Sequence, residues 1–179
     1  LASCAVSQRF LLHRLLSVPF LTVARFRNEA CIGEDGSSTG VCYTARECAN
    51  QGGLVAGACA DGYGHCCVFQ KACDATATRN SSYFVNPNYP AADRGSMACK
   101  LVVQFPPRDV CQLRFDFEDF RLAAPDLYAR SAGQCNTDRL MILGGVGETP
   151  PLLCGINTGQ HIYLDVQGAV APAVLDILT

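Results

Sequence analysis

The chain has 179 residues, with 14 Lys and Arg against 16 Asp and Glu, and 12 cysteines. A net charge of −2 argues against nucleic acid as the principal ligand, because phosphate binding needs a basic field. Hydrophobic content of 49% excludes a largely disordered chain, and no apolar run reaches the roughly eighteen residues of a membrane span. The cysteine density points to a secreted, extracellular protein stapled by disulfides.

Residues 1–30 read as an apolar leader. The stretch 10–24, FLLHRLLSVPFLTVA, has the character of a secretory h-region and ends in the small-residue run Thr22, Val23, Ala24. His13 and Arg14 interrupt it, and an amphipathic helix with Leu11, Leu12, Leu15, Leu16 and Phe20 on one face is the other reading. Either way Cys4 is expected to lie outside the mature fold.

Residues 31–67 hold Cys31, Cys42, Cys48, Cys59, Cys66 and Cys67, many glycines and few large aliphatic residues. Such a segment cannot build an adequate apolar core, and crosslinks must restrict the unfolded state instead. Six cysteines allow 15 connectivities, and spacing alone does not choose among them. No C-x-x-C pair occurs anywhere, and His13, His65 and His161 are far apart, which disfavours structural zinc. His65 beside Cys66 is read as an exposed loop histidine, since a nucleophilic Cys–His pair must face each other across a site.

The cysteine order of this segment, ending in GYGHCC, resembles the clip domain of invertebrate secreted proteins, an interaction and regulatory module frequently attached to serine proteases. The resemblance spans 31–72 and implies Cys31–Cys66, Cys42–Cys59 and Cys48–Cys67.

A boundary falls near residues 70–73, where glycine thins and alternating apolar segments begin. In VCQLRFDF, 110–117, odd positions are apolar and most even ones polar, the pattern of a half-buried strand. Further short strands are expected at 100–105, 140–143, 161–166 and 174–178, separated by the turn-rich stretches NPNYP, FPPRD, GGVGETPP and INTG. That punctuation predicts an all-β sandwich or jelly roll.

Four motifs then resemble the CUB domain, an extracellular jelly-roll β-sandwich. They are NPNYP at 86–90 between Cys73 and Cys99, FDFEDFRL at 115–122, CNTDRL at 135–140 and LCG at 153–155. Thr137 stands where the family's third motif has tyrosine. The stretches VCQLRFDFEDF and LCGINTGQHIYLDV resemble CUB domains of invertebrate secreted proteins that also carry a clip-like knot. The resemblance implies Cys73–Cys99 and Cys135–Cys154. It also implies a domain over 73–179 that lacks its last strand, with Cys111 left without a partner in this chain.

Many CUB domains hold calcium between loops at one end. Asp138 matches one family ligand, while Ala123 occupies the position of the family's glutamate and no donor matches near Gly168. Asp126 would substitute only by loop rearrangement. Asp138 is thus either a calcium ligand or a solvated or turn-capping residue. Asn80 opens an N-x-S sequon, a glycosylation candidate in a secreted chain.

No H-E-x-x-H or G-x-x-x-x-G-K-[ST] motif is present. Asp116, Glu118 and Asp119 cluster, but residues 116 and 118 of a strand share its polar face, which reads as solvated surface. His161 and Tyr163 alternate onto the polar face of their strand, as binding surface or simply as solvated residues. The expectation is therefore a secreted, non-enzymatic interaction module that binds a protein or glycan through CUB loops. The alternative is the regulatory N-terminal part of a longer extracellular serine protease.

Overall fold

Apolar residues at every second position form strands wherever one face can be buried, and most of this chain obeys that rule. The computed structural model describes residues 2–3, 17–18, 21–22, 24–106, 108–128 and 130–179. In chain order the strands are β1 (Ala2–Ser3), β2 (Ser17–Val18), β3 (Leu21–Thr22), β4 (Ala30–Ile32) and β5 (Thr39–Tyr43). The helix α1 (Ala45–Asn50) follows, then β6 (Leu54–Cys59), β7 (Gly64–Lys71), β8 (Ala75–Ala77) and β9 (Ser82–Phe84). The remainder is β10 (Ala98–Val103), β11 (Val110–Asp116), β12 (Arg139–Leu143), β13 (His161–Asp165) and β14 (Ala173–Leu178). Apart from α1 and a single 3-10 turn at Ala60–Gly62, the regular elements among the described residues are strands.

The chain divides into two units. One takes Lys71–Asn80 and Phe84–Thr179 together with β1, and the other takes the described residues of Val6–Gln70 with Ser81–Tyr83.

The larger unit has two sheets, ordered β1-β11-β13 and β12-β14-β10-β8. Pairings are antiparallel except β8 with β10. Register explains the core. Leu113 lies opposite Leu164 in the first sheet, while Leu175 lies between Leu101 and Ile142 in the second. These side chains, with Leu140, Val166 and Ala173, form one buried cluster. Gly144 turns the chain out of β12 at φ +89°, a region that favours glycine, and a Cβ there would come within 2.8 Å of the Ala173 backbone.

The smaller unit is organised by sulfur. Its sheet runs β4-β5-β7-β6, with β9 also against β7. Among the described residues its buried apolar side chains are Cys42, Cys48, Cys66, Cys67, Val68 and Phe69; Cys48, Cys67 and Phe69 cluster, with Tyr43 packed edge-on to Phe69 at 6.3 Å between ring centroids. Gly53 sits so tightly against this centre that a Cβ would meet the Phe69 ring at 2.9 Å.

The structure brings together Cys31–Cys66, Cys42–Cys59 and Cys48–Cys67 in the smaller unit, and Cys73–Cys99 and Cys135–Cys154 in the larger. Cys111 is also disulfide-bonded, which corrects the expectation that it has no partner in this chain. It lies on β11 beside the position where β1 pairs, Ser3 opposite Val110 and Ala2 opposite Gln112. Residues 1–30 are expected as a leader from their composition, yet their described part contributes β1 to the sandwich and a small antiparallel pair, β2 with β3. Cys4, and the leucines expected on a helical face, fall outside the described residues.

The sandwich core sets a measurable scale. Leu113→Ala, at a site only 1% exposed, is expected to lower unfolding free energy by about 2–5 kcal/mol in urea denaturation. Val170→Ala, at a fully exposed site, should change it by no more than about 0.5 kcal/mol.

Candidate functional site

At one end of the sandwich, the segment after β11 folds back along the segment before β13. Phe120 N–H donates to Thr158 Oγ1 at 3.0 Å, and Asn157 N–H donates to the Phe120 carbonyl at 3.1 Å. Leu122 N–H reaches the Gly155 carbonyl at 3.0 Å, and Gly155 N–H reaches the Ala123 carbonyl at 2.8 Å. Arg121 and Ile156 form the bridge between them. Two loops are thereby zipped together.

A third segment, just ahead of β12, joins them. Asp138 Oδ2 accepts the backbone N–H of Ala123 at 2.7 Å. Asn136 Nδ2 donates to Asp126 Oδ2 at 2.8 Å, and Asp126 also bonds through its backbone to Gln134 and Gly133. The Cys135–Cys154 bridge ties the same two regions covalently. Asp126 and Asp138 are both half-buried, and each of these hydrogen bonds closes a loop base rather than forming a catalytic contact.

Calcium takes six to eight oxygen ligands, carboxylates foremost. Asp138 and Asp126 each already receive an N–H on one oxygen, and position 123 offers a methyl group in place of a carboxylate. Among the described residues, no group of three or more His, Cys, Asp and Glu side chains is placed to hold a metal ion. The residues at this end do not fit a calcium site.

The apolar content of these loops points outward. Leu127 is 91% exposed, Tyr128 80% and Ile156 78%, with Leu152 also exposed. Sequence reasoning does not single them out; their only signal is large apolar residues inside segments already marked as loops.

The outward face of β11 and β13 carries a second polar array. Arg114 donates from Nε to Asp116 Oδ1 at 2.9 Å, lies within 2.6 Å of it through the guanidinium terminus, and stands 5.7 Å over the Tyr163 ring. His161 meets Tyr163 edge-on at 5.3 Å, and Gln112 Nε2 donates to Asp165 Oδ1 at 2.7 Å. The Asp116 hydrogen bond raises the Arg114 pKa still further above its ordinary value. Asp116 is therefore a guanidinium partner. Glu118 does not share its strand face, because β11 ends at Asp116, and Asp119 pairs with Arg121 at 2.9 Å. The acidic cluster does not converge on a common site.

Residues 73–175 match the family described as CUB domain. The chain belongs to the CUB domain family. No match was found among curated proteins or among solved structures. CUB domains occur in extracellular or secreted proteins and are generally non-catalytic binding modules. Among the described residues no helix is long and apolar enough to cross a membrane.

Within the CUB domain, NPNYP forms a side-chain-bonded turn. Asn86 Nδ2 donates to the Ala91 carbonyl and to Asp93 Oδ2, both at 2.8 Å, and Asn88 also bonds Asp93. The Tyr89–Pro90 peptide is cis. Asn80 is exposed in the turn before β9.

The match begins at Cys73, so the three bridges of the smaller unit lie outside it. His65 is in β7 opposite Tyr43 and half-buried, not in an exposed loop. The helix α1 starts in a capping box that sequence reasoning missed. Thr44 Oγ1 accepts the Glu47 N–H at 3.2 Å while Glu47 Oε2 accepts the Thr44 N–H at 3.0 Å. The T-x-x-E spacing at 44–47 carries that signal.

In the β4–β5 connection, Asp35 accepts from the Ser38 hydroxyl, from Ser37 N–H at 3.0 Å and from Ser38 N–H at 2.8 Å. Those donors, the Ser38 hydroxyl first, lower its pKa from the usual 3.8 to about 2. A depressed carboxylate favours folding above its unfolded pKa and loses that contribution as pH falls through the folded value. Carboxyl NMR titration should therefore place the Asp35 midpoint at about 2, and Ser38→Ala should move it up toward 3.8. The turn is expected to loosen only as pH drops below 3.8 and through about 2.

Proposed function

We propose that the chain is a secreted, non-enzymatic interaction protein whose clip-like module precedes a CUB domain that engages a protein or glycan partner through its loops. The observation that carries this reading is the exposure of Leu127 and Tyr128 on a loop whose base is closed by Asp126, Gln134 and Asn136. Large apolar side chains held out on a closed loop lose little conformational freedom when a partner covers them, so their burial is retained as affinity. Ile156 and Leu152, on the adjoining segment, extend the same apolar character. Support for a clip-like module comes from the cysteine order and from a sheet held by three bridges around a very small core.

The test is comparative capture. Immobilised wild-type protein and a Leu127→Ser, Tyr128→Ser double variant are exposed to a glycan array and to extracellular fluid from the source. Ligands retained by the wild type and weakened at least about tenfold by the variant support loop binding. Equal retention by both proteins, or retention by neither, counts against it.

The same reading makes Asn80 a glycosylation site. Protein secreted from eukaryotic cells should lose mass on peptide-N-glycosidase treatment, and Asn80→Gln should abolish that change. The second reading, the regulatory front of a serine protease, draws on the clip-like cysteine order alone. Extending the reading frame past Thr179 and finding a protease domain would favour it.

A further inference from the structure

The loop end of the CUB domain lacks the donor set for calcium, and its hydrogen bonds show what stands in that place. We propose that Asp138 is a positioning residue whose carboxylate clasps the backbone N–H of Ala123, so that the three loop segments keep their geometry without a divalent cation.

The chemistry follows from charge. A half-buried carboxylate must be compensated, either by a cation or by hydrogen-bond donors. At Asp138 the compensation is a charge-assisted bond of 2.7 Å from Ala123. That donor takes up one lone pair of Oδ2 and offsets part of the carboxylate's charge. The rest of the junction is closed in the same way, by donors meeting acceptors. The Ala123 carbonyl accepts from Gly155, Asp126 Oδ2 accepts from Asn136, and Cys135–Cys154 joins the two remaining segments covalently. With alanine at 123, no third carboxylate is drawn in that would need a metal to offset repulsion.

This deepens the binding reading and rests on it for one consequence only: a partner gripping Leu127 and Tyr128 would be bound equally with or without calcium. The latch itself stands on geometry and is tested separately.

The full chain, stripped with EDTA, is compared with the same protein in about 5 mM calcium chloride by thermal unfolding. Extracellular calcium modules bind at roughly 0.1–1 mM, so such a site would be near saturation and would raise Tm by about 3 °C or more. The expected result is coincident curves.

Amide hydrogen exchange supplies the second measurement. In EDTA the Ala123 amide of the wild type should exchange at least about tenfold more slowly than in Asp138→Ala, while Asp138→Asn, which keeps an acceptor oxygen, should retain part of that protection. A calcium-dependent rise in Tm overturns the proposal. So does an Ala123 amide that exchanges equally fast in wild type and Asp138→Ala. Should Asp138→Ala fail to fold, the wild-type comparison and Asp138→Asn still decide the matter. Neither measurement involves a partner, so failure to find one would leave them untouched.

Discussion

Strand β14 occupies the middle of the four-stranded sheet, hydrogen-bonded to β10 on one side and β12 on the other, and the CUB sandwich is organised around it. Its inward residues Ala173 and Leu175 are buried, and Leu175 meets Leu101 and Ile142 in register across its two neighbours. The opposing sheet supplies Leu113 and Leu164 to the same cluster. Since the side-chain period of a strand is two, a one-residue slip in β14 would turn this whole row outward. The apolar row therefore holds the register, and the register holds the ends of β11, β12 and β13 where the loops begin. On the other face of β14, Asp176 is buried opposite Lys100, with 3.4 Å between their charged atoms, so even its outward positions are specified by the neighbouring strand.

The smaller unit meets the same thermodynamic requirement by other means. Among its described residues the buried apolar side chains are four half-cystines, one valine and one phenylalanine, too little apolar area to offset the ordering of its backbone. Its three bridges span 17 to 35 residues, and loops of that size each remove about 3 kcal/mol of unfolded-state freedom in the chain-entropy model. The sulfur atoms also act as core. Cys48, Cys66 and Cys67 are fully buried, and the close approach of Gly53 is what admits the Cys48–Cys67 bridge beside Phe69. Loss of a bridge here would remove packing and crosslink together.

Function in such an arrangement falls to what the scaffold leaves exposed. The polar face of β11 and β13 is largely engaged with itself, through Arg114 with Asp116 and Tyr163 and through Gln112 with Asp165. The loop end differs. Its backbone groups are consumed in closing the loops on one another, while Leu127, Tyr128 and Ile156 remain uncovered. A rigid base under exposed apolar side chains is the arrangement expected of a binding module, and it matches the general character of the CUB family.

How much of this is legible before folding depends on the range of each interaction. Alternation in 110–117 marks a strand, and β11 is there, but the pattern does not show that it ends at Asp116 and leaves Glu118 off its face. Motif order marks a sandwich over 73–179, and the family match covers 73–175 of it. The capping signal at Thr44 and Glu47 is present in the sequence, since the two residues stand one helical turn apart. The bridging of Cys111 is not, because nothing local to residue 111 names a partner. The place of Ala2–Ser3 beside β11 is hidden for the same reason, an apolar leader-like composition having no means of announcing a strand partner a hundred residues away. Thus the sequence by itself determined fold class, the approximate positions of β10 to β14 and the need for crosslinks, since these follow from periodicity and composition. Only the tertiary structure decided that Asp138 meets a backbone N–H, that His65 is held in a strand and that Leu127 and Tyr128 stay uncovered. Hydrogen-bond partners and exposure are set by residues distant in the chain, and distance along a chain carries no record of distance in space.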